Sequence, residues 1–262
     1  MVTKKKVEAN AVVHKEAMSK VSVSHYVKLV LRSIILIVTI VLYIIHRVSG
    51  KSDFLTSFNE NGWWLAIVWL FYMIEMVARL FPSKLESPGC QKQFKVNYKP
   101  VAEGKRPKLM SWKRTLLVFS AWALLNGAIG ALYFFNVIDT GILFIISTAY
   151  GVCDMICILF FCPFQTWMMK NRCCSDCRIY NWDFAMMFTP CIFMPSIYTW
   201  TLLGLSAVIL ARWEITYKLH PERFSSATNG CVSCHNCTEK LCHHKKQLHG
   251  YWKKNKEIFK HK

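Results

Sequence analysis

Cysteine is the residue of this 262-residue chain with the most chemistry to offer, and most of its 12 cysteines fall in short runs. Near the carboxyl terminus Cys231, Cys234, Cys237 and Cys242 form a C-x2-C-x2-C-x4-C run, close enough in sequence for one loop to wrap a single centre. Zinc would be held by the four thiolates, or by three of them with His235, His243 or His244, because its preference is tetrahedral. A second run holds Cys173, Cys174 and Cys177, and Cys162, just before Pro163, is the candidate fourth ligand. Both runs lie among basic residues, which would lower thiol pKa and favour the metal-binding thiolate.

The carboxyl-terminal run resembles the C-x2-C-x2-C-x3-C-P pattern of bacterial ferredoxins, with one extra residue before Cys242 and His243 in place of the proline. That resemblance implies an iron–sulfur cluster, of the 4Fe-4S kind. Structural zinc sites usually space two cysteine pairs on separate knuckles, whereas here the first three cysteines overlap, so iron–sulfur is preferred and zinc is the alternative.

Four further polar residues sit inside apolar stretches. Cys153 and Cys157 share a helix face, with Asp154 beside them, and Glu75 lies in an earlier stretch. An acid near the centre of a membrane helix costs about 2.5–3.5 kcal/mol and normally faces a cavity or a partner. Glu75 and Asp154 together could line a proton or cation path, while Arg79, four residues on, is the local ion-pair partner for Glu75. The two cysteines serve equally well as small buried hydrophobes.

The elements that position these residues are read from length, since a membrane span needs about 20 mostly apolar residues. Five stretches qualify: 27–45, 62–80, 115–135, 142–164 and 184–211. The fold expected is therefore all-α, a bundle of about five transmembrane segments, the last broken or kinked by Pro190 and Pro195. Arg32 is close enough to the end of the first span to snorkel to the headgroups. Trp63 and Trp64 anchor the second at the interface. Ala123, Gly127 and Ala131, four residues apart, offer the third a face for close approach to the fourth, which the short 136–141 turn makes antiparallel.

Residues 1–26 form a basic arm, 82–114 a basic connecting loop without helical pattern, 164–183 a cysteine loop, and 212–262 a cysteine- and histidine-rich basic tail. Nine Lys or Arg in the 82–114 loop resist translocation and place it in the cytosol. Five full crossings would put the basic tail outside, so either the last segment folds back at its prolines or the charge rule fails there. A cytosolic tail is preferred.

The excess of 33 Lys and Arg over 15 Asp and Glu lies between apolar segments, which suits the lipid bilayer as partner and argues against nucleic acid. No Walker loop, dinucleotide fingerprint or GxSxG elbow occurs, so no catalytic residue is assigned. The function expected is a multi-pass redox protein of the cytoplasmic membrane, of bacterial type, with one or two iron–sulfur centres. It would pass electrons to a protein partner or a membrane carrier. Soft-metal handling is the alternative, and a zinc-stapled scaffold the third.

Overall fold

The computed structural model describes residues 20–49, 63–83, 88–101, 106–171, 174 and 177–232. Among them there is no strand. The helices are α1 (Lys20–Val48), α2 (Trp63–Arg79), α3 (Pro88–Gln93), α4 (Trp112–Phe134), α5 (Thr140–Leu159), α6 (Asp183–Met187) and α7 (Ile197–Leu219).

Three of these, α1, α4 and α5, are long and apolar enough to cross a membrane. At 1.5 Å per residue they reach about 43, 34 and 30 Å, against a hydrocarbon core near 30 Å. What points to lipid is the reversal of sides. On α1, Val27, Val30, Ile34, Ile37, Val41 and Ile44 are 47–59% exposed, whereas Ser22, His25, Arg32, Thr39 and His46 are buried. On α4, Leu116, Leu117, Phe119, Leu124 and Leu125 face outward, while Thr115 and Asn126 are inside. Water would invert that pattern, because exposed aliphatic faces of this extent are unfavourable in it.

Contacts sort the bundle into two ends. At one end Arg212 donates to the Leu80 carbonyl at 2.7 Å, Asn181 donates to Gln93 Oε1 at 2.7 Å, and Arg114 donates to the Met169 carbonyl at 2.9 Å. The start of the tail docks there too. Asn229, fully buried, donates to the Lys92 and Arg223 carbonyls at 3.0 and 2.8 Å, and Gly230 N–H donates to the Lys99 carbonyl at 2.8 Å. At the other end Tyr43 donates to Asp139 at 2.9 Å, Trp69 donates to Thr201 at 2.8 Å, and the Phe134 and Phe193 rings meet edge to face.

The 184–211 stretch is two legs. Residues 183–193 run from the first end to the second as α6 and a 3-10 turn, Thr189–Phe193. Pro190 and Pro195 cannot continue a helix, and α7 then returns from Ile197, ending eight residues beyond the expected boundary at Leu219.

Three local expectations are corrected. The Ala123, Gly127, Ala131 face points outward, and nothing stands within 4 Å of a Cβ built on Gly127. The small residue that permits close approach is Gly130, where a Cβ would collide with the Phe193 ring. Helices α4 and α5 meet instead through Trp122 and Tyr150, whose ring centroids are 4.7 Å apart. The 82–114 loop contains α3 and a 3-10 turn, Lys95–Asn97, held by buried Gln91, whose Oε1 accepts from Ser83 N–H at 2.7 Å. Finally, α5 stops at Leu159 rather than running to 164, because Pro163 disfavours helix at the residue before it.

Candidate functional site

The end of α5 builds the site. Phe160 and Phe161 N–H groups both donate to the Ile156 carbonyl, at 2.8 and 3.1 Å, so the chain folds tightly over its own last turn. Cys162 is thereby brought back against Cys157, and the two thiols hydrogen-bond to each other. Cys153 lies one helical turn further up the face. A single π turn, Phe164–Met168, follows Pro163 and carries Gln165 inward.

Gln165 organises what comes next. Its N–H donates to Cys162 Sγ at 3.4 Å, its Oε1 accepts from Cys174 Sγ at 3.1 Å, and its Nε2 donates to the Asn171 carbonyl at 3.3 Å. Cys177 is only 4% exposed and takes a hydrogen bond from the Asn171 side chain. The result is a partly open cavity of about 130 Å³ lined by Cys153, Cys157, Cys162, Cys174 and Cys177, with Asp154 and Asp183 in its wall. Trp122, Tyr150, Tyr180, Met186 and Met187 make the remainder largely apolar.

Behind the cavity lies a charged network. Arg32, 1% exposed, donates from Nη2 and Nε to Glu75 Oε2 at 2.8 and 3.2 Å, and from Nη1 to Asp154 Oδ2 at 2.9 Å and the Gly151 carbonyl at 2.8 Å. Lys28 adds a cation 3.5 Å from Glu75 Oε1. Arg32 therefore does not snorkel outward, since two carboxylates inside the bundle offer it more than the headgroups do. Glu75 takes Arg32 as its direct partner, and Arg79 acts on it from farther off. That guanidinium stands 2.7 Å from Asp183 and 4.8 Å from the centre of the Phe184 ring. Arg32 is bound to both Glu75 and Asp154, and Asp154 also lies in the cavity wall.

No match to a protein-family model, a curated protein or a solved structure is found. The chemistry of the site follows from its own residues.

Burial pushes the Cys177 thiol up to about 12, with Cys174 and Cys162 nearby adding to the effect. The thiolate expected from the basic loop is thus disfavoured at this position, because loss of water outweighs distant positive charge. Among the described residues no three His, Cys, Asp or Glu side chains are placed to hold one metal ion. Cys173 lies outside the described residues, as do Cys234, Cys237, Cys242, His235 and His243. Of the tail run only Cys231 is described, its N–H donating to Asn229 Oδ1 at 3.0 Å. Cysteine spacing does not single out Gln165 or Tyr150. A lone amide two residues after Pro163, in a turn otherwise apolar except for Thr166, is the only sequence signal for Gln165.

Proposed function

We propose that this chain is a multi-pass membrane redox protein that works through sulfur at its cytosolic face. The observation that carries the proposal is the convergence of five cysteines, from α5 and the following turns, on one apolar cavity at the end where the cysteine-rich tail begins. An apolar, aromatic-walled space beside thiols suits a lipid-soluble carrier or the side chain of an electron-transfer partner. The tail cysteines Cys231, Cys234, Cys237 and Cys242 would hold an iron–sulfur centre, with Asn229 fixing the root of that loop beside the basic segment.

The membrane arrangement proposed has six legs: α1, α2, α4, α5, the 183–193 leg and α7. An even number is supported by the tail root bonding to residues 92 and 99, which brings the 82–114 loop, the 164–183 segment and the root of the tail to one side. All basic regions then share the cytosol of a cytoplasmic membrane, as the positive-inside rule asks. Exposed Trp112 and Trp167 would stand at one interface and Trp63, Phe134 and Trp200 at the other.

Soft-metal handling is the second candidate function, favoured by Met186 and Met187 lining the cavity with the thiols. Anaerobic purification followed by iron, zinc and acid-labile sulfide analysis separates the two. Bound iron with matching sulfide, lost when the four tail cysteines become serine, is expected of the redox protein. A colourless protein carrying copper or zinc without sulfide would favour metal handling and overturn the iron–sulfur assignment.

A further inference from the structure

Two cysteines in the cavity are joined to each other by a hydrogen bond. Cys174 is engaged by Gln165 Oε1 at 3.1 Å, and Cys177 is buried and held by Asn171. Cys157 and Cys162 are hydrogen-bonded to one another, and both are half-buried on the cavity wall. The helix ends between them, at Leu159, so Cys162 belongs to irregular chain that can adjust without breaking a helical turn. Cys153 and Cys157, by contrast, are both fixed on α5.

We propose that Cys157 and Cys162 form a reversible dithiol–disulfide couple that reacts with small neutral disulfides admitted to the cavity. One thiol attacks a sulfur of the incoming disulfide, whose S–S bond breaks and releases one thiol-form fragment with the proton. The second thiol attacks the mixed disulfide, closes the Cys157–Cys162 bond and releases the other fragment. Two protein thiols are oxidised, one external disulfide is reduced to two thiol equivalents, and two hydrogens change hands. The largely apolar wall selects uncharged over charged disulfides, since a charge entering it would lose its hydration. The couple rests on the proposal that sulfur in the cavity is redox-active, but it needs no metal centre.

The probe is 2,2′-dithiodipyridine, added at one equivalent to the full-length protein in nanodiscs without reductant. Chymotrypsin cuts after Phe160 and Phe161, between the two cysteines. The expected product is a pair of peptides joined through Cys157 and Cys162, two hydrogens lighter than the reduced pair and separated by dithiothreitol. In Cys162→Ser the link disappears and Cys157 retains a single pyridylthio group. The negatively charged 5,5′-dithiobis(2-nitrobenzoate) should form the link at least tenfold more slowly. Stable adducts on both cysteines with no link in the wild-type protein would overturn the couple, as would links confined to Cys153–Cys157 or Cys174–Cys177. Iron and sulfide are assayed on the same preparation. A link without iron leaves the couple standing and removes the tail centre, and iron without the link does the reverse.

Discussion

Arg32→Met tests the buried network most sharply. Methionine keeps the stem of the side chain and deletes every donor. Four hydrogen bonds go with them: two to Glu75 Oε2, one to Asp154 Oδ2 and one to the Gly151 carbonyl. Glu75 keeps Lys28 at 3.5 Å, but Asp154 loses its ion-pair partner while its side chain remains 16% exposed. Removing one member of a buried pair costs about 3–5 kcal/mol, because a desolvated charge is stranded. That loss lowers the folded-to-unfolded ratio by a factor of about 10² to 10³·⁵, at about 1.4 kcal/mol per decade. Denaturant titration in mixed micelles, followed by tryptophan fluorescence, reads it directly. The triple variant Arg32→Met, Glu75→Gln, Asp154→Asn removes all three charges and should recover more than half of the loss. A single variant costing no more than a surface change, about 0.5 kcal/mol, would refute the reasoning. So would a triple variant less stable than the single one.

Other consequences are as direct. Gly130→Ala must displace the Phe193 ring and should cost about 1–3 kcal/mol, whereas Gly127→Ala meets open space and should stabilise α4 by about 0.5–1 kcal/mol; thermal melts of the two variants should move in opposite directions. A cysteine placed at exposed Val137 should react with an impermeant maleimide in intact cells, and its protection there would contradict the six-leg arrangement. With its thiol pushed up to about 12, Cys177 should be alkylated by iodoacetamide at a rate that stays low through pH 9. About one molecule in a thousand is thiolate at that pH, whereas an ordinary thiol of pKa about 8.5 is mostly ionised. Alkylation of folded protein at Cys177 as fast as that of glutathione would show that the site is open to water.

The long helices are legible in the sequence because lipid imposes a length, and the runs over 27–45 and 115–135 carry no charge besides Lys28 and Arg32. The importance of Glu75 and Asp154 is legible for the same reason: acids in apolar runs need partners. Which partner is not, because Arg32 lies 43 and 122 residues from them, and the local spacing rule points to Arg79 instead. The small-residue stripe fails through rotation about the α4 axis. Gly130 lies three residues from Gly127 yet faces the bundle, and only the neighbour, Phe193, decides between them. Pro190 and Pro195 announce a break, but counting two legs from it requires the compact turns between Asp183 and Phe193 and the extension of α7 past Arg212. Cys153 through Cys177 look like two groups in sequence, one in a helix and one in a loop. They become one cavity because α5 ends five residues sooner than its apolar run does.

The central claim, electron transfer through sulfur at the cytosolic face, is tested most directly by an optical and paramagnetic-resonance potentiometric titration of the anaerobically purified protein. The expected result is a brown chromophore that bleaches reversibly with a midpoint inside the roughly −700 to +450 mV range of iron–sulfur centres and vanishes when Cys231, Cys234, Cys237 and Cys242 are replaced by serine. A colourless protein with no reversible transition across that range, and no paramagnetic signal on reduction, would contradict it.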